Sequence, residues 1–202
     1  MKKSILIILS LVVFLFVAAS FCSADGLLSD TTGNVNLLVG KKFVRDDVIR
    51  SLSVDILNEG GIEIDVKKDK WLLSPVVGAL YAQDRNRADY YGVSTDFDLH
   101  TTELYLGLKY IDEHFGNWRP YIGGGVVYAE GEMDVTVEGQ DFSVKERGFG
   151  PWFGAGVYYT VSDRINIGFN IRYSDVEIGT EYINNDVQLG GTHCSLLVGY
   201  HF

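Results

Sequence analysis

The stretch RINIGFNIRY, residues 164–173, shows a strict two-residue alternation. Every second residue from Ile165 to Tyr173 is a large apolar or aromatic one, and the residues between are Arg, Asn or Gly. Successive side chains of a β-strand point to opposite faces of a sheet, so this pattern predicts a strand whose two faces meet different media. The question that follows is which face meets which medium.

The same alternation recurs along the rest of the chain and predicts eight strands. The predicted strands are residues 34–43, 58–66, 71–81, 100–110, 118–128, 149–159, 164–173 and 192–202. The connections are alternately long and short. We interpret residues 84–96 as a loop and residues 130–147 as a hairpin with its tip near Glu138 and Gly139. Short turns at one end and long loops at the other are typical of a transmembrane β-barrel.

The first 24 residues differ from the remainder in composition. Two lysines, Lys2 and Lys3, precede an apolar run from Ile5 to Val17, and small residues follow it up to Ala24. This order predicts a secretory signal peptide, residues 1–24, cleaved after Ala24. We therefore expect a short lead, residues 25–33, and one barrel domain, residues 34–202.

Net charge and cysteine count exclude several classes of protein. The chain has 202 residues and a formal charge of −10, and loss of both signal lysines takes the charge to −12 (−10 − 2). Such an acidic chain is a poor partner for nucleic acid. Cleavage would leave Cys194 as the single cysteine, so no disulfide framework is expected within one chain.

Aromatic spacing favours lipid as the medium on the apolar face. Three predicted strands are each bracketed by aromatic residues ten positions apart, and other aromatics lie at strand ends. At about 3.3 Å per residue and a tilt near 40°, ten residues rise roughly 25 Å, the height of the apolar band of a membrane barrel. We predict an aromatic girdle of Trp71, Tyr81, Tyr110, Trp118, Tyr128, Phe149, Tyr159, Tyr173, Tyr200 and Phe202. A water-soluble barrel that carries an apolar ligand is the alternative, because it would show the same alternation.

The carboxyl end of the chain carries a family resemblance. The residues Leu196, Val198, Tyr200 and Phe202 alternate up to a terminal Phe. This resembles the assembly signal of bacterial outer-membrane barrels, and with eight strands the chain looks like the small OmpA/OmpX-type family. The resemblance implies an all-β, eight-stranded antiparallel up-and-down barrel in the bacterial outer membrane. It also implies outer-membrane lipid and the barrel-assembly machinery as partners. No peptidoglycan-binding domain accompanies it, so wall anchoring is not expected.

If the apolar rows face lipid, the polar rows face the interior. We expect a hydrogen-bonded charge network there in at least two layers, because an unpaired buried charge costs several kcal/mol. The predicted members are Glu63, Asp65, Glu103, Lys109, Arg119, Arg164, Asn166, Asn170 and Arg172. Its simplest role is to keep the barrel rigid, and an ion gate is the alternative. Pro75 falls inside a predicted strand, where its missing N–H predicts a bulge.

The sequence contains one cluster that resembles a catalytic site. His193 and Ser195 share a strand face and weakly resemble the His-x-Ser of outer-membrane lipid A deacylases. No acid partner is evident from the sequence, and both side chains are expected to point inward. We therefore expect no enzyme, no metal site and no cofactor. The acidic outer loops, which include Asp89, Asp96 and Glu181, are the expected surface for structural or interaction roles. The alternatives are a lipid-modifying enzyme and a narrow ion channel.

Overall fold

A computed structural model of the protein describes residues 31–45, 49, 55–68, 70–90, 93–137, 140–162, 164–178 and 187–202. The signal peptide, residues 1–24, and most of the predicted lead lie outside these residues, as does the hairpin tip at Glu138 and Gly139. The chain divides into two units at Thr31, and the barrel is the second unit, Thr32–Phe202.

The described residues form ten strands, and eight of them build the barrel. They are β1 (Thr31–Val44), β2 (Ile56–Lys68), β3 (Ser74–Tyr90), β4 (Val93–Ile111), β5 (Trp118–Val137), β6 (Gln140–Ser162), β7 (Ile165–Ser174), β8 (Glu177–Ile178), β9 (Val187–Gln188) and β10 (Gly191–His201). Each barrel strand neighbours the next in chain order, and β10 pairs antiparallel with β1 to close the ring. β8 and β9 form a separate two-stranded sheet. The predicted eight-stranded antiparallel barrel is confirmed.

The two faces of the barrel wall are oriented with the apolar residues outward. On β7 the side chains of Ile167 and Phe169 are each 45% exposed, whereas Arg172 on the opposite face is 3% exposed. The last strand follows the same rule, because Leu196 is 67% exposed and Leu197 is 2% exposed. A water-soluble carrier would bury the first set and expose the second, so that alternative is wrong.

Two predicted strand features were wrong near Pro75. The third strand begins at Ser74 instead of Trp71, and Pro75 is therefore its second residue. The pairing between β3 and β4 runs through Pro75 and Leu108 without a shift, and the pairing of β3 with β2 ends at Val76. The proline lies beyond the last residue that pairs with β2, so its missing N–H requires no bulge. Among the described pairs, a register shift occurs instead in β6, between Thr160 and Ser162.

Of the two predicted connections at residues 84–96 and 130–147, the first was shorter than predicted and the second is a hairpin as predicted. β3 and β4 stay paired as far as Tyr90 and Val93, so most of residues 84–96 are strand and not loop. β5 and β6 likewise stay paired to Val137 and Gln140, which confirms the predicted hairpin. The wall formed by β3, β4, β5 and β6 is therefore tall. β7 ends at Ser174, so the wall is low on that side.

The described residues contain no helix that is both long and apolar enough to cross a membrane.

Candidate functional site

A lower polar cluster lies near the short-turn end of the barrel interior. Lys109 contacts the carboxylate of Glu63 and lies 3.9 Å from that of Asp65. The remaining carboxylate oxygens are satisfied by neutral donors, since Tyr105 donates to Glu63 at 2.9 Å and Tyr158 donates to Asp65 at 3.1 Å. Both carboxylates and the ammonium are almost fully buried. Multiple partners for each charge are what burial of an ion pair requires.

A hydrogen-bonded group of polar side chains lies at the short-turn end of the interior, and one predicted member is absent from it. Arg119 donates to the Oδ1 atom of Asn166 at 2.5 Å, and Asn166 donates to Asn34 at 2.7 Å. Arg164 was expected beside them. Arg164 is exposed in the turn before β7. The strand begins at Ile165, one residue later than predicted, so Arg164 is not part of the barrel wall.

An upper polar cluster surrounds Glu103. Lys42 lies 2.8 Å from one carboxylate oxygen of Glu103, and Arg172 lies 3.0 Å from the other. His193 contacts Glu59 through Nδ1 and lies 3.3 Å from Glu103 through Nε2. All five side chains are at least 96% buried. The carboxylate of Glu103 thus holds three basic groups together across the barrel.

His193 has acidic partners that were not evident from the sequence. Its ring lies between two carboxylates, and Ser174 is 3.1 Å from its Nε2 atom. Ser195 has a different partner, because its hydroxyl accepts a hydrogen bond from Asn170 at 3.4 Å. Asn170 in turn accepts one from Tyr121 at 3.0 Å. Both His193 and Ser195 point inward and are at least 98% buried.

Several interior residues were missed by sequence reasoning. They are Asn34, Asn36, Lys42 and Glu59, all less than 5% exposed. Parity could have found them. In β1 the exposed residues Leu37 and Val39 are odd-numbered, so the even-numbered residues face inward. Lys41 and Lys42 are adjacent and therefore lie on opposite faces of the strand. Their charges alone did not indicate which face of β1 is the inner one.

An aromatic layer separates the two clusters. Tyr105 packs edge-on against Trp152 at 5.3 Å, and Tyr121 stacks on Tyr158 at 4.6 Å. Arg172 of the upper cluster lies 4.1 Å from the Tyr105 ring, and Lys109 of the lower cluster lies 4.3 Å from the Tyr121 ring. A glycine in the wall makes room for the large indole, since a Cβ at Gly107 would lie 2.6 Å from Trp152. Rings therefore fill the barrel where the two charge layers approach each other.

The residues predicted as an aromatic girdle lie on the outer face. The rings of Trp118 and Tyr159 meet at 4.8 Å near the short turns, and those of Tyr128 and Phe149 meet at 4.9 Å toward the other end. Trp71 is half exposed but precedes β3. The remaining members, Tyr81, Tyr110, Tyr173, Tyr200 and Phe202, are exposed or half-buried.

The tall wall extends well beyond the upper aromatic residues. From Tyr128 to Val137 the β5–β6 hairpin continues for nine residues, about 30 Å along the strand. We call this part, residues 84–98 and 130–147, the sheet extension. By sequence it carries ten carboxylates and four cationic side chains. Exposed ion pairs line its outer face, and Arg87 lowers the pKa of Asp96 through a hydrogen bond.

The inner face of the sheet extension is apolar. Phe97 is buried there beside Leu99, the next inward residue of β4, and Met133 and Val135 pack against the same cluster. Phe142 and Val144, which pair with Val135 and Met133, are 56% and 58% exposed. Residues 140–149 pair with β5 along one edge. The pairing of β6 with β7 begins at Trp152, and β8 contacts β6 without pairing with it, so no strand among the described residues pairs with their other edge.

Within the described part of the chain, no group of three or more His, Cys, Asp or Glu residues is arranged to hold a metal ion.

Comparisons with known proteins agree on one architecture. The family model described as outer membrane protein beta-barrel domain matches residues 10–202. No curated protein matches the chain. A major outer membrane protein from Thermus thermophilus is similar in structure, with a TM-score of 0.58, 10% identity, and 85% of this chain and 99% of that chain covered.

Two further solved structures are similar. Ail of Yersinia pestis, in complex with the heparin analogue sucrose octasulfate, has a TM-score of 0.52 and 12% identity, and covers 86% of this chain and 99% of its own. OprG of Pseudomonas aeruginosa has a TM-score of 0.50 and 15% identity, with 85% and 94% covered. At these identities the likeness shows the fold alone.

Proposed function

The chain belongs to the family of outer-membrane protein β-barrel domains, and on that premise we propose that it is a sealed membrane scaffold that presents the sheet extension for recognition at the cell surface. Its location is the bacterial outer membrane. Short turns of such barrels face the periplasm, so the sheet extension faces outward. The observation that carries the proposal is the edge of β6, residues 140–149, which lacks a partner strand among the described residues.

An unpaired sheet edge binds extended polypeptide. Backbone N–H and C=O groups of an edge strand can pair with another chain, and side chains at alternate positions then provide specificity. Phe142 and Val144 lie on the inner face of this edge and are more than half exposed. A bound strand with apolar residues at alternate positions would cover both.

A second copy of the protein fits this edge poorly. Two barrels inserted in the same direction are related by an axis along the membrane normal, which places their β6 strands parallel to each other. Parallel pairing is less stable per residue than antiparallel pairing. A segment of another molecule can approach in either direction, so we propose an extended segment of a partner protein.

The charge of the sheet extension indicates the chemistry of that partner. Ten carboxylates against four cationic side chains give it a formal charge of −6, which repels polyanions and attracts basic segments. The Yersinia protein was solved with a heparin analogue. For this chain we propose a basic peptide instead of a sulfated ligand.

A synthetic ten-residue peptide of alternating Val and Lys tests the proposal. We expect saturable binding to the folded protein in detergent, and no binding of sucrose octasulfate. Replacing Phe142 and Val144 together by Asn removes the apolar contacts and should weaken peptide binding about tenfold, the equivalent of about 1.4 kcal/mol. Isothermal titration calorimetry measures both.

The matched control lies on the opposite face of the same strand. Replacing Ser143 and Lys145 together by Asn should leave peptide affinity within about twofold, because those side chains point away from the apolar face. Equal losses in the two double variants, or tight binding of sucrose octasulfate, would contradict the proposal.

Catalysis at His193 is not part of the proposed function. The imidazole is 1% exposed and lies between two carboxylates, and the hydroxyl of Ser195 contacts Asn170. A lipid substrate outside the wall has no route to either atom through packed side chains. We expect the substitutions His193→Ala and Ser195→Ala to leave lipid A acylation unchanged in mass spectra of the extracted lipid. Altered acylation in either variant would favour an enzyme.

The last strand is the part of the chain that we propose for recognition during assembly. We propose that the barrel-assembly machinery recognises the last strand through Leu196, Val198, Tyr200 and Phe202, whose side chains are exposed on the outer face. The same surface then contacts outer-membrane lipid.

A further inference from the structure

The turn between β2 and β3 exposes three consecutive apolar side chains. Trp71 is 50% exposed, Leu72 is 72% exposed and Leu73 is 40% exposed. Side chains alternate between the two faces of a strand, so at least one of three successive residues would point into the barrel. These three precede β3, which begins at Ser74, and all of them are exposed where the backbone bends. The chain thus places a large apolar surface outside the wall at this point.

The surface lies at the level of the lower aromatic residues. Ser74 pairs with Lys109, so the residues before Ser74 extend past Tyr110 on the neighbouring strand. Tyr110 is itself exposed, and the contact between Trp118 and Tyr159 lies at the same end of the barrel. Aromatic residues at this end mark the boundary between hydrocarbon and the periplasm. The leaflet at this boundary is the inner leaflet of the outer membrane, which consists of phospholipid.

The same turn is basic, although the chain is acidic. Residues 67–70 contain three lysines and one aspartate. Lys67 forms an ion pair with Glu113 at 2.9 Å, whereas Lys68 and Lys70 are exposed and form no ion pair within the described part of the chain. The other two short turns differ. Residues 112–117 contain two carboxylates and no lysine or arginine, and residues 163–164 contain one acid and one base.

We infer that the β2–β3 turn, residues 67, 68 and 70–73, is a docking site for the anionic headgroups of inner-leaflet phospholipid. The apolar side chains insert at the level of the acyl chains, and Lys68 and Lys70 meet the phosphate of the headgroup. Lysines flanking interfacial aromatics stabilise this arrangement, and each adds attraction to an anionic surface. A zwitterionic headgroup carries its own cation beside the phosphate, so it gains less from the two lysines. The docking site therefore selects phosphatidylglycerol over phosphatidylcholine.

The three tryptophans allow a direct comparison within one protein. Trp71 lies beside the lysines, and Trp118 lies at the same end of the barrel beside the acidic turn. Trp152 is buried in the interior and forms a constant background in both measurements. The variant Trp118→Phe reports on Trp71, and the variant Trp71→Phe reports on Trp118.

Quenching by brominated lipid measures which headgroup each tryptophan meets. Each variant is reconstituted in mixed phosphatidylcholine and phosphatidylglycerol vesicles in which only one lipid class carries bromine. We expect phosphatidylglycerol to be enriched about three- to fivefold at Trp71 at low salt, and not at Trp118. Replacing Lys68 and Lys70 together by Gln should abolish the enrichment at Trp71. Replacing Lys41, which lies at the opposite end of the barrel, by Gln should not change it.

Three results would overturn the inference. The first is equal quenching of Trp71 by both lipids at low salt. The second is the same enrichment of phosphatidylglycerol at Trp118 as at Trp71. The third is an enrichment at Trp71 that remains after both lysines are replaced. Heat-modifiable mobility on gels verifies that each variant is folded. All of these substitutions lie on the outer surface, so the test does not depend on the interior clusters.

Discussion

The substitution Glu103→Gln is expected to destabilise the barrel by about 3–5 kcal/mol. Glu103 is 1% exposed and is the shared carboxylate of Lys42, Arg172 and His193. The amide has the same shape but no charge, so it leaves Lys42 and Arg172 buried without their nearest anion. Removing one partner of a buried ion pair leaves the full desolvation cost of the other in place. Urea unfolding in lipid vesicles, followed by heat-modifiable mobility, measures the loss.

The control for this prediction is an exposed ion pair of the same type. Asp96 lies 2.5 Å from Arg87 on the sheet extension, where both side chains are at least 40% exposed. The substitution Asp96→Asn should leave the urea midpoint of unfolding almost unchanged, because water screens the pair. The double variant Glu103→Gln with Lys42→Met should recover part of the loss, because it removes one uncompensated cation. Similar losses for Glu103→Gln and Asp96→Asn would show that the upper cluster does not stabilise the fold.

The substitution Trp152→Ala is expected to cost about 3–5 kcal/mol. The indole is 2% exposed, packs against Tyr105 and donates a hydrogen bond to the carbonyl of Leu106 at 3.1 Å. Its removal leaves a cavity between the upper and lower clusters, where Gly107 supplies no side chain to fill the space. Polar groups border that cavity on both sides, so water can enter it.

Conductance in planar bilayers provides a second measurement for Trp152→Ala. The native protein should show no steady conductance, because an eight-stranded barrel is filled by its own side chains and the aromatic layer separates the charged groups. The variant should show small, intermittent events. Trp118→Ala is the matched control, since that ring is on the outer face; it should cost about 1 kcal/mol and open no conductance. A conducting native protein would favour the narrow ion channel.

The sequence predicts which face of the barrel wall meets lipid, because the alternation of apolar residues within each strand determines it. A lipid-facing row must be apolar at every second residue, and residues 165–173 satisfy this without reference to any other strand. Ile167 and Phe169 are accordingly outside, and Asn170 and Arg172 are inside. The approximate positions of the eight strands could be predicted for the same reason.

The limits of the strands could not be predicted in the sheet extension. Residues 84–96 contain four charged side chains before Tyr90, and this composition is typical of a loop. They form strand because β4 pairs with them on one side, and β4 is paired in turn with β5. Neighbouring strands supply the hydrogen bonds that the local sequence does not indicate. Arg164 shows the opposite case, since it continues the alternation of β7 but lies in the turn.

The sequence by itself determined which side chains face lipid and which face inward, because alternation within each strand is a local property. Only the tertiary structure decided which inward charges meet. Glu63 contacts Lys109, and Glu103 contacts Lys42 and Arg172, over separations of 46 to 69 residues. In a closed barrel the stagger between strands sets the height of each interior residue. Two charges pair only when that stagger brings them to the same layer, and no single strand carries that information.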